Sequence, residues 1–226
     1  MPGTPASANG DGDRPGKATR TTVTAFGLVA AAGGAVHGIG LVRQGPTVPD
    51  GLVGPTWTTP TAQALEGISA LTLLPTRRAG GLATILASAA IAVCSTRFVG
   101  HRRSGPALIG LSVLLLGAGG GFGPPPIAAI AGIGATQLHR GAHPHPRRAR
   151  SLLRRAWPWA LGCWLAGFLS VMPGALLLYR VRGRRDLALT RALFAFTGLA
   201  QILALTAAHA RDHRPAPRPA QPAARS

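Results

Sequence analysis

The sequence predicts an all-α fold, a polytopic bundle of about six transmembrane helices, on three observations. Only 13% of the 226 residues are charged and the mean hydropathy is +0.25, whereas soluble domains carry about 25% charged residues. Several segments long enough to cross a bilayer carry no charge. The arginines, which dominate a net charge of +18, gather between those segments. This pattern is typical of multi-pass membrane proteins.

The two ends of the chain differ from its middle. Residues 1–20 are polar and rich in Gly and Pro, and we expect a disordered N-terminal tail. Residues 22–42 form an apolar run that exceeds the usual 7–15-residue core of a cleaved signal peptide, which favours an uncleaved first helix. A last span at 187–208 precedes the basic, Pro-rich residues 211–226, which we also expect to be disordered. The membrane domain therefore covers residues 21–210.

Three segments between these helices predict further elements. Residues 79–96 and 157–179 are apolar enough and long enough to be spans. Residues 61–74 are mildly apolar and too short to cross alone, which predicts an interfacial or re-entrant helix. A Pro/Gly loop at 43–60 precedes this segment.

A short helical hairpin broken by Gly and Pro is predicted at 106–138. One continuous helix would be about 46–50 Å long, beyond a hydrocarbon core of about 30 Å. The glycines at 119–121 and the prolines at 124–126 would also break it. Arginines flank the pair on both sides, so the positive-inside rule places both flanks in the cytoplasm. The hairpin either crosses fully, giving six crossings, or is re-entrant, leaving four plus a re-entrant pair.

The arginine distribution and the composition also predict a location. Both termini are expected in the cytoplasm, although the cluster Arg180, Arg182, Arg184 and Arg185 would then lie outside, against the rule. Heavy use of Ala, Gly, Arg and Pro with a single lysine is typical of a GC-rich bacterial genome. The predicted location is therefore a bacterial plasma membrane.

Several short segments, in a fixed order, resemble a known family. They are HGIG at 37–40, RQG at 43–45, ALEGISALTLLP at 64–75, GAGGGFGPPP at 117–126 and AHARD at 208–212. This order resembles a family of small, uncharacterised bacterial multi-pass integral membrane proteins, over about residues 25–212. The resemblance implies a multi-pass membrane fold and no particular activity. Many members carry an acid shortly after the His-Gly, where this chain has Leu41 and Val42.

Three ionisable residues in or near apolar segments are candidates for function, because such residues are costly in a bilayer. His37 is either a ligand, proton relay or pore-lining group, or a neutral histidine bonded to a neighbouring helix. Glu66, the only glutamate, either binds a proton or cation or pairs with Arg43, Arg77 or Arg78. His209 lies at the C-terminal end of the last helix, where a positive charge is favoured. His37 and His209 are expected at opposite sides of the membrane, which argues against a haem or metal ion bound by both.

The glycine- and proline-rich break is a further candidate. It lacks the Lys-Ser/Thr of a phosphate loop. Its unwound backbone could coordinate an ion, as in broken-helix transporters, or it could be a plain tight turn. The candidate functional residues are His37, Arg43, Gln44, Glu66, Gly121, Gly123, Pro124 and His209.

The same sequence argues against enzyme chemistry. It has six acidic residues and no catalytic triad, HExxH motif or paired carboxylates, so we expect no catalytic, cofactor-binding or metal-binding residues, and no cofactor. The arginines fit anionic lipid head groups better than nucleic acid. The expected partners are the bilayer and either a second copy or another membrane protein. Three functions stay open: a small transport- or channel-type protein, a scaffold or accessory subunit without catalysis, and a His-based membrane redox protein.

Overall fold

The computed structural model describes the chain except for residues 1–15, 59–68, 140–146, 172–176, 178–180, 182–186 and 213–226. Helices dominate the described part. They are α1 (Lys17–Arg43), α2 (Arg77–Arg97), α3 (Ser104–Ala118), α4 (Pro124–Gln137), α5 (Arg147–Leu169) and α6 (Leu187–Asp212). Two short strands, β1 (Val53–Pro55) and β2 (Ser69–Leu71), form an antiparallel pair.

Successive helices run in opposite directions. Arg77 at the start of α2 donates to Gln44 just after α1, and Thr24 near the start of α1 donates to the last turn of α2 at 2.8 Å. Asp212, at the end of α6, accepts from the N–H of Ala18 at the start of α1. The start of α1 and the end of α6 therefore share one end of the bundle, which we call the terminal end. The opposite end, with the two strands, is the loop end.

The first helix is the centre of the bundle, and α2, α4 and α6 pack around it. Phe26 of α1 meets Trp164 of α5 with ring centroids 4.3 Å apart. A Cβ on Gly27 or Gly34 would collide with Ser95 or Ser88 of α2. The small residues thus bring α1 and α2 close together, as is common between transmembrane helices. Among the described residues, the largest fully buried apolar side chains are Val23, Phe26, Ile91, Leu108, Leu115 and Trp164.

The predicted break between two short helices is confirmed. Helices α3 and α4 have 15 and 14 residues, or about 22 Å each. Gly119 and Gly121 take left-handed backbone angles, with φ of 112° and 75°, which side chains other than glycine rarely adopt. The N–H of Gly120 donates to the carbonyl of Leu115 at 2.8 Å and closes the end of α3. Pro124 then begins α4, a position that needs no backbone N–H.

The helix predicted at 61–74 is wrong for its second half. Residues 59–68 lie outside the described part, and Ser69–Leu71 form strand β2 instead. Burial alternates here, since Ala70 and Thr72 are buried while Leu73 is 64% exposed, and this period of two suits a strand. The pairing with β1 continues where Thr72 donates to the carbonyl of Leu52. The fold is therefore helical with one small sheet.

The fifth helix begins earlier than expected, at Arg147 rather than at the aromatic pair that was expected to begin it. Trp157 points into the bundle, where its Nε1 donates to Thr22 Oγ1 at 2.9 Å, whereas Trp159 is exposed. Cys163, which lies on the same helix, is also exposed. The last helix covers the whole predicted span and continues to Asp212.

By length and composition, three described helices can cross a membrane. They are α1, α2 and the part Arg191–Asp212 of α6. Helix α3 is apolar but shorter. These helices support an association with a membrane.

Candidate functional site

Polar residues from four parts of the chain meet at the loop end. They come from the end of α1, the loop after β1, the start of α2 and the glycine turn at 119–121. We call these residues the loop-end cluster: His37, Gln44, Thr56, Arg77 and Gly121. Three of its members, His37, Gln44 and Gly121, were candidates from sequence.

His37 is the buried centre of the cluster, at 7% exposure. Its Nδ1 shares a hydrogen bond of 2.9 Å with Oγ1 of Thr56, which is fully buried. The far edge of the ring, including Nε2, lies against Gly121, where an added Cβ would collide with the imidazole. The glycine turn therefore contacts the histidine through backbone alone.

The two glycines after His37 explain the HGIG spacing. A Cβ on Gly38 would lie 2.9 Å from the carbonyl oxygen of Gly81 in α2. A Cβ on Gly40 would lie 2.6 Å from Nε1 of Trp57 and would strike the Thr56 carbonyl. The absence of a side chain at Gly38 thus lets α2 pack closely against α1. The absence of one at Gly40 lets the loop that carries Thr56, the hydrogen-bond partner of His37, do the same.

Gln44 links that loop to α2. Its Nε2 donates to the carbonyl of Thr56 at 2.7 Å, and its Oε1 accepts from Nη1 of Arg77. The other guanidinium nitrogen, Nη2, lies 2.8 Å from a carboxylate oxygen of Asp50, which is 95% exposed. An open groove of about 360 Å³ runs along these residues and is lined by Gln44, Thr47, Val48, Asp50, Thr58 and Arg77.

Arg43, the remaining candidate at the end of α1, stands outside the buried cluster. Its guanidinium carbon lies 5.7 Å from the ring centroid of Trp57, a cation–π distance. The side chain therefore contacts the loop through the Trp57 ring and is itself exposed.

Two buried hydroxyl groups lie next to Gly119 of the glycine turn, and a third lies one helical turn further along α2. A Cβ on Gly119 would lie 3.6 Å from Oγ1 of Thr84 and 3.7 Å from Oγ1 of Thr72. Thr84 and Ser88, one turn apart on α2, are buried, and their hydroxyls have no hydrogen-bond partner among the described residues. The interior next to the turn is therefore polar although the surrounding helices are apolar.

The other sequence candidates fall in different places. Gly123 has no atom within 4 Å of an added Cβ, and Pro124 packs against Gly33 of α1. His209 is buried at the terminal end, at the opposite end of the bundle from the loop-end cluster. Glu66 lies outside the described residues.

Three important residues were not among the candidates. Thr56 stands in a Pro/Gly loop and gives no sequence signal of its own. Thr84 and Ser88 could have been found, because hydroxyls four residues apart share one helix face within an apolar span.

No family model, curated protein or solved structure matches the chain.

Replacing Thr56 by valine tests the histidine contact. The change keeps the side-chain shape but removes the hydrogen-bond partner of His37, which we expect to cost about 1–2 kcal/mol of unfolding free energy. Unfolding of the purified protein in mixed micelles by added denaturing detergent measures the loss. Thr58→Val, at an exposed site two residues on, is the matched control. An equal loss of unfolding free energy in the two variants would show that the hydrogen bond between Thr56 and His37 does not stabilise the protein.

Proposed function

We propose that the chain is a multi-pass protein of a bacterial plasma membrane that moves a small cation or a proton, as a small transporter or channel. The observation that carries this proposal is the buried glycine turn packed against His37. Irregular backbone at bilayer depth is tolerated where protein covers it or where it lines a wet cavity. Ionisable side chains there are costly and mark substrate and ion pathways.

The surface of the helices supports a bilayer environment. Large apolar side chains point outward along the sides of the bundle, such as Leu86 (71% exposed), Val113 (66%) and Leu199 (69%). A soluble monomer rarely exposes apolar surface on this scale. The basic residues of the described part instead lie toward the two ends of the bundle.

The distribution of described arginines supports cytoplasmic termini. The terminal end carries Arg20, Arg97, Arg102, Arg103, Arg154, Arg155 and Arg211, and the loop end carries the smaller set Arg43, Arg77, Arg78 and Arg191. The positive-inside rule assigns the more basic side to the cytoplasm. The loop-end cluster would then face the outer side.

The depth of the glycine turn favours the re-entrant form of the hairpin. Gly121 is level with His37, which lies six residues, or about 9 Å, before the end of α1. Residues 119–121 are buried, and Leu73 from the loop above donates to the carbonyl of Gly117 at 3.0 Å. We propose four full crossings and one re-entrant pair.

Cysteine labelling in intact cells tests this topology. In a Cys94→Ser/Cys163→Ser background, we expect a membrane-impermeant maleimide to modify cysteine at position 58. Cysteine at positions 123 and 149 should stay protected, the first by depth and the second by its cytoplasmic location. Labelling at 123 as fast as at 58 would mean that the hairpin crosses fully.

The chemistry of the turn suggests the transported species. Hydroxyl oxygens of Thr72 and Thr84 lie next to Gly119, and the imidazole of His37 lies against Gly121. Neutral oxygen ligands suit hard cations, and a histidine can take up and release a proton. The sequence adds Glu66 as a candidate carboxylate, which lies outside the described residues.

Flux into proteoliposomes tests the proposed activity. The full chain in phosphatidylethanolamine–phosphatidylglycerol vesicles should dissipate an imposed gradient of H⁺, Na⁺ or K⁺ faster than empty vesicles. Thr84→Val should reduce that rate by about tenfold, equivalent to about 1.4 kcal/mol. The variant should not lose stability, because the Thr84 hydroxyl has no partner among the described residues. Thr96→Val, an exposed hydroxyl on the same helix, is the control, and Glu66→Gln tests the proposed carboxylate.

Other outcomes would replace the proposal. Absence of flux for all three ions, with a stable membrane protein co-purifying, would identify an accessory subunit. A haem absorbance band that disappears on His37→Ala would identify a redox protein. The family resemblance of the sequence fits any of the three functions.

A further inference from the structure

A second groove lies at the terminal end, where α2 turns into α3. Its volume is about 650 Å³, and it is lined by Cys94, Phe98, His101, Arg102, Arg103, Ser104 and Ala107. It is separate from the loop-end cluster, because α2 runs its full length between the two sites.

One side of this groove is apolar. Phe98 is 51% exposed, and its ring stacks on that of His101 with centroids 6.1 Å apart. Ala107 on α3 and the half-buried Cys94 on α2 complete the apolar lining.

The other side of the groove is basic. Arg102 and Arg103 are exposed at its rim, and the guanidinium of Arg20 lies against Gly100 of the same loop. The described residues include two acids, Asp50 and Asp212, and neither neutralises this positive charge. Asp50 pairs with Arg77 at the opposite end, and Asp212 accepts from the N–H groups of Ala18 and Thr19.

We infer that this groove binds an acidic phospholipid, with one acyl chain along Phe98, Cys94 and Ala107 and the phosphate between Arg102 and Arg103. An apolar slot that ends in unneutralised arginines is complementary to such a lipid in both shape and charge. A soluble phosphate would leave the apolar side exposed, and a zwitterionic lipid would leave the arginine charge in excess. The inference rests on the bilayer location in the proposed function and not on transport.

Protection of Cys94 measures occupancy. The full-length Cys163→Ser protein in neutral detergent is treated with N-ethylmaleimide during titration with phosphatidylglycerol or phosphatidylcholine. We expect phosphatidylglycerol to slow modification of Cys94 and phosphatidylcholine to have little effect. Arg102→Gln/Arg103→Gln should weaken the apparent affinity for phosphatidylglycerol about thirtyfold, since each arginine contributes a contact to an anionic head group.

Two further variants separate a site from diffuse charge. Arg154→Gln/Arg155→Gln removes the same charge at the same end of the bundle but outside the groove, and should keep the affinity. Ala107→Phe fills the groove without changing its charge, and should abolish lipid-dependent protection while native mass spectrometry shows the lipid adduct lost.

Three results would overturn the inference. They are equal loss in the two arginine pairs, equal protection by the two lipids, and protection by inorganic phosphate alone. A protein that shows the lipid site but no ion flux would leave this inference standing and remove only the transport part of the proposed function.

Discussion

Gly121→Ala is expected to destabilise the protein by about 3 kcal/mol. The residue has a φ of +75°, and a side chain in this left-handed region costs about 1–2 kcal/mol. The new methyl group would also collide with the His37 imidazole, and overpacking of a buried site costs about 1–3 kcal/mol. Detergent-induced unfolding of the purified protein, followed by circular dichroism, measures the loss.

A control and a rescue distinguish the two causes. Gly123→Ala, two residues along, has a φ of −83° and open space around the added Cβ, so we expect less than about 0.5 kcal/mol of change. His37→Ala made in the Gly121→Ala background should cost less than His37→Ala alone, because the collision has then been relieved. Additive losses would show that the glycine turn and the histidine are not in contact.

Asp212→Ala is the second large expected effect, at about 2 kcal/mol. The carboxylate accepts from the N–H groups of Ala18 and Thr19 at 2.9 and 2.8 Å, and Gly16 provides no side-chain cap at the start of α1. Hydrogen bonds to a charged group contribute about 1.5–3 kcal/mol, and a negative charge is favoured at a helix N-terminus. Hydrogen exchange at these two amides should accelerate in the variant, together with a lower melting temperature.

Asp50→Ala supplies the matched control for charge. Its carboxylate is 95% exposed and pairs with Arg77 at the loop end, and such surface pairs contribute about 0–1 kcal/mol. Both variants remove one negative charge, so a general charge effect would lower the stability equally. Unchanged exchange at Ala18 and Thr19 in Asp212→Ala would show that the carboxylate does not cap α1.

Much of the helical fold could be predicted from the sequence, because each helix carries its own local signal. The helices at 22–42 and at the Ala-rich segment 79–96 could be predicted from composition and length alone, because both segments are uncharged. The glycine turn was also predictable, since residues 119–121 and Pro124 are incompatible with one continuous helix. The start of α5 at Arg147 was missed because a basic first half hides the helix from an apolar-run criterion.

The partners of the candidate residues could not be predicted, because long-range polar contacts leave no periodic signal. His37 was singled out as an ionisable residue in a span, but its partner Thr56 lies in a loop of low regularity. Asp212 and Ala18 are separated by 194 positions. The strand at Ser69–Leu71 was mistaken for part of a helix because three residues are too few to establish a period of two.

The clasp between Asp212 and the start of α1 has a consequence for how the chain is made. Domains generally fold during synthesis from the N-terminal side, and α1 is made well before Asp212, the residue at the end of α6 that caps it. The first helix therefore lacks this cap until α6 has been translated. A chain that stops before residue 212 would lack this contact, and the N–H groups of Ala18 and Thr19 would lose their carboxylate acceptor.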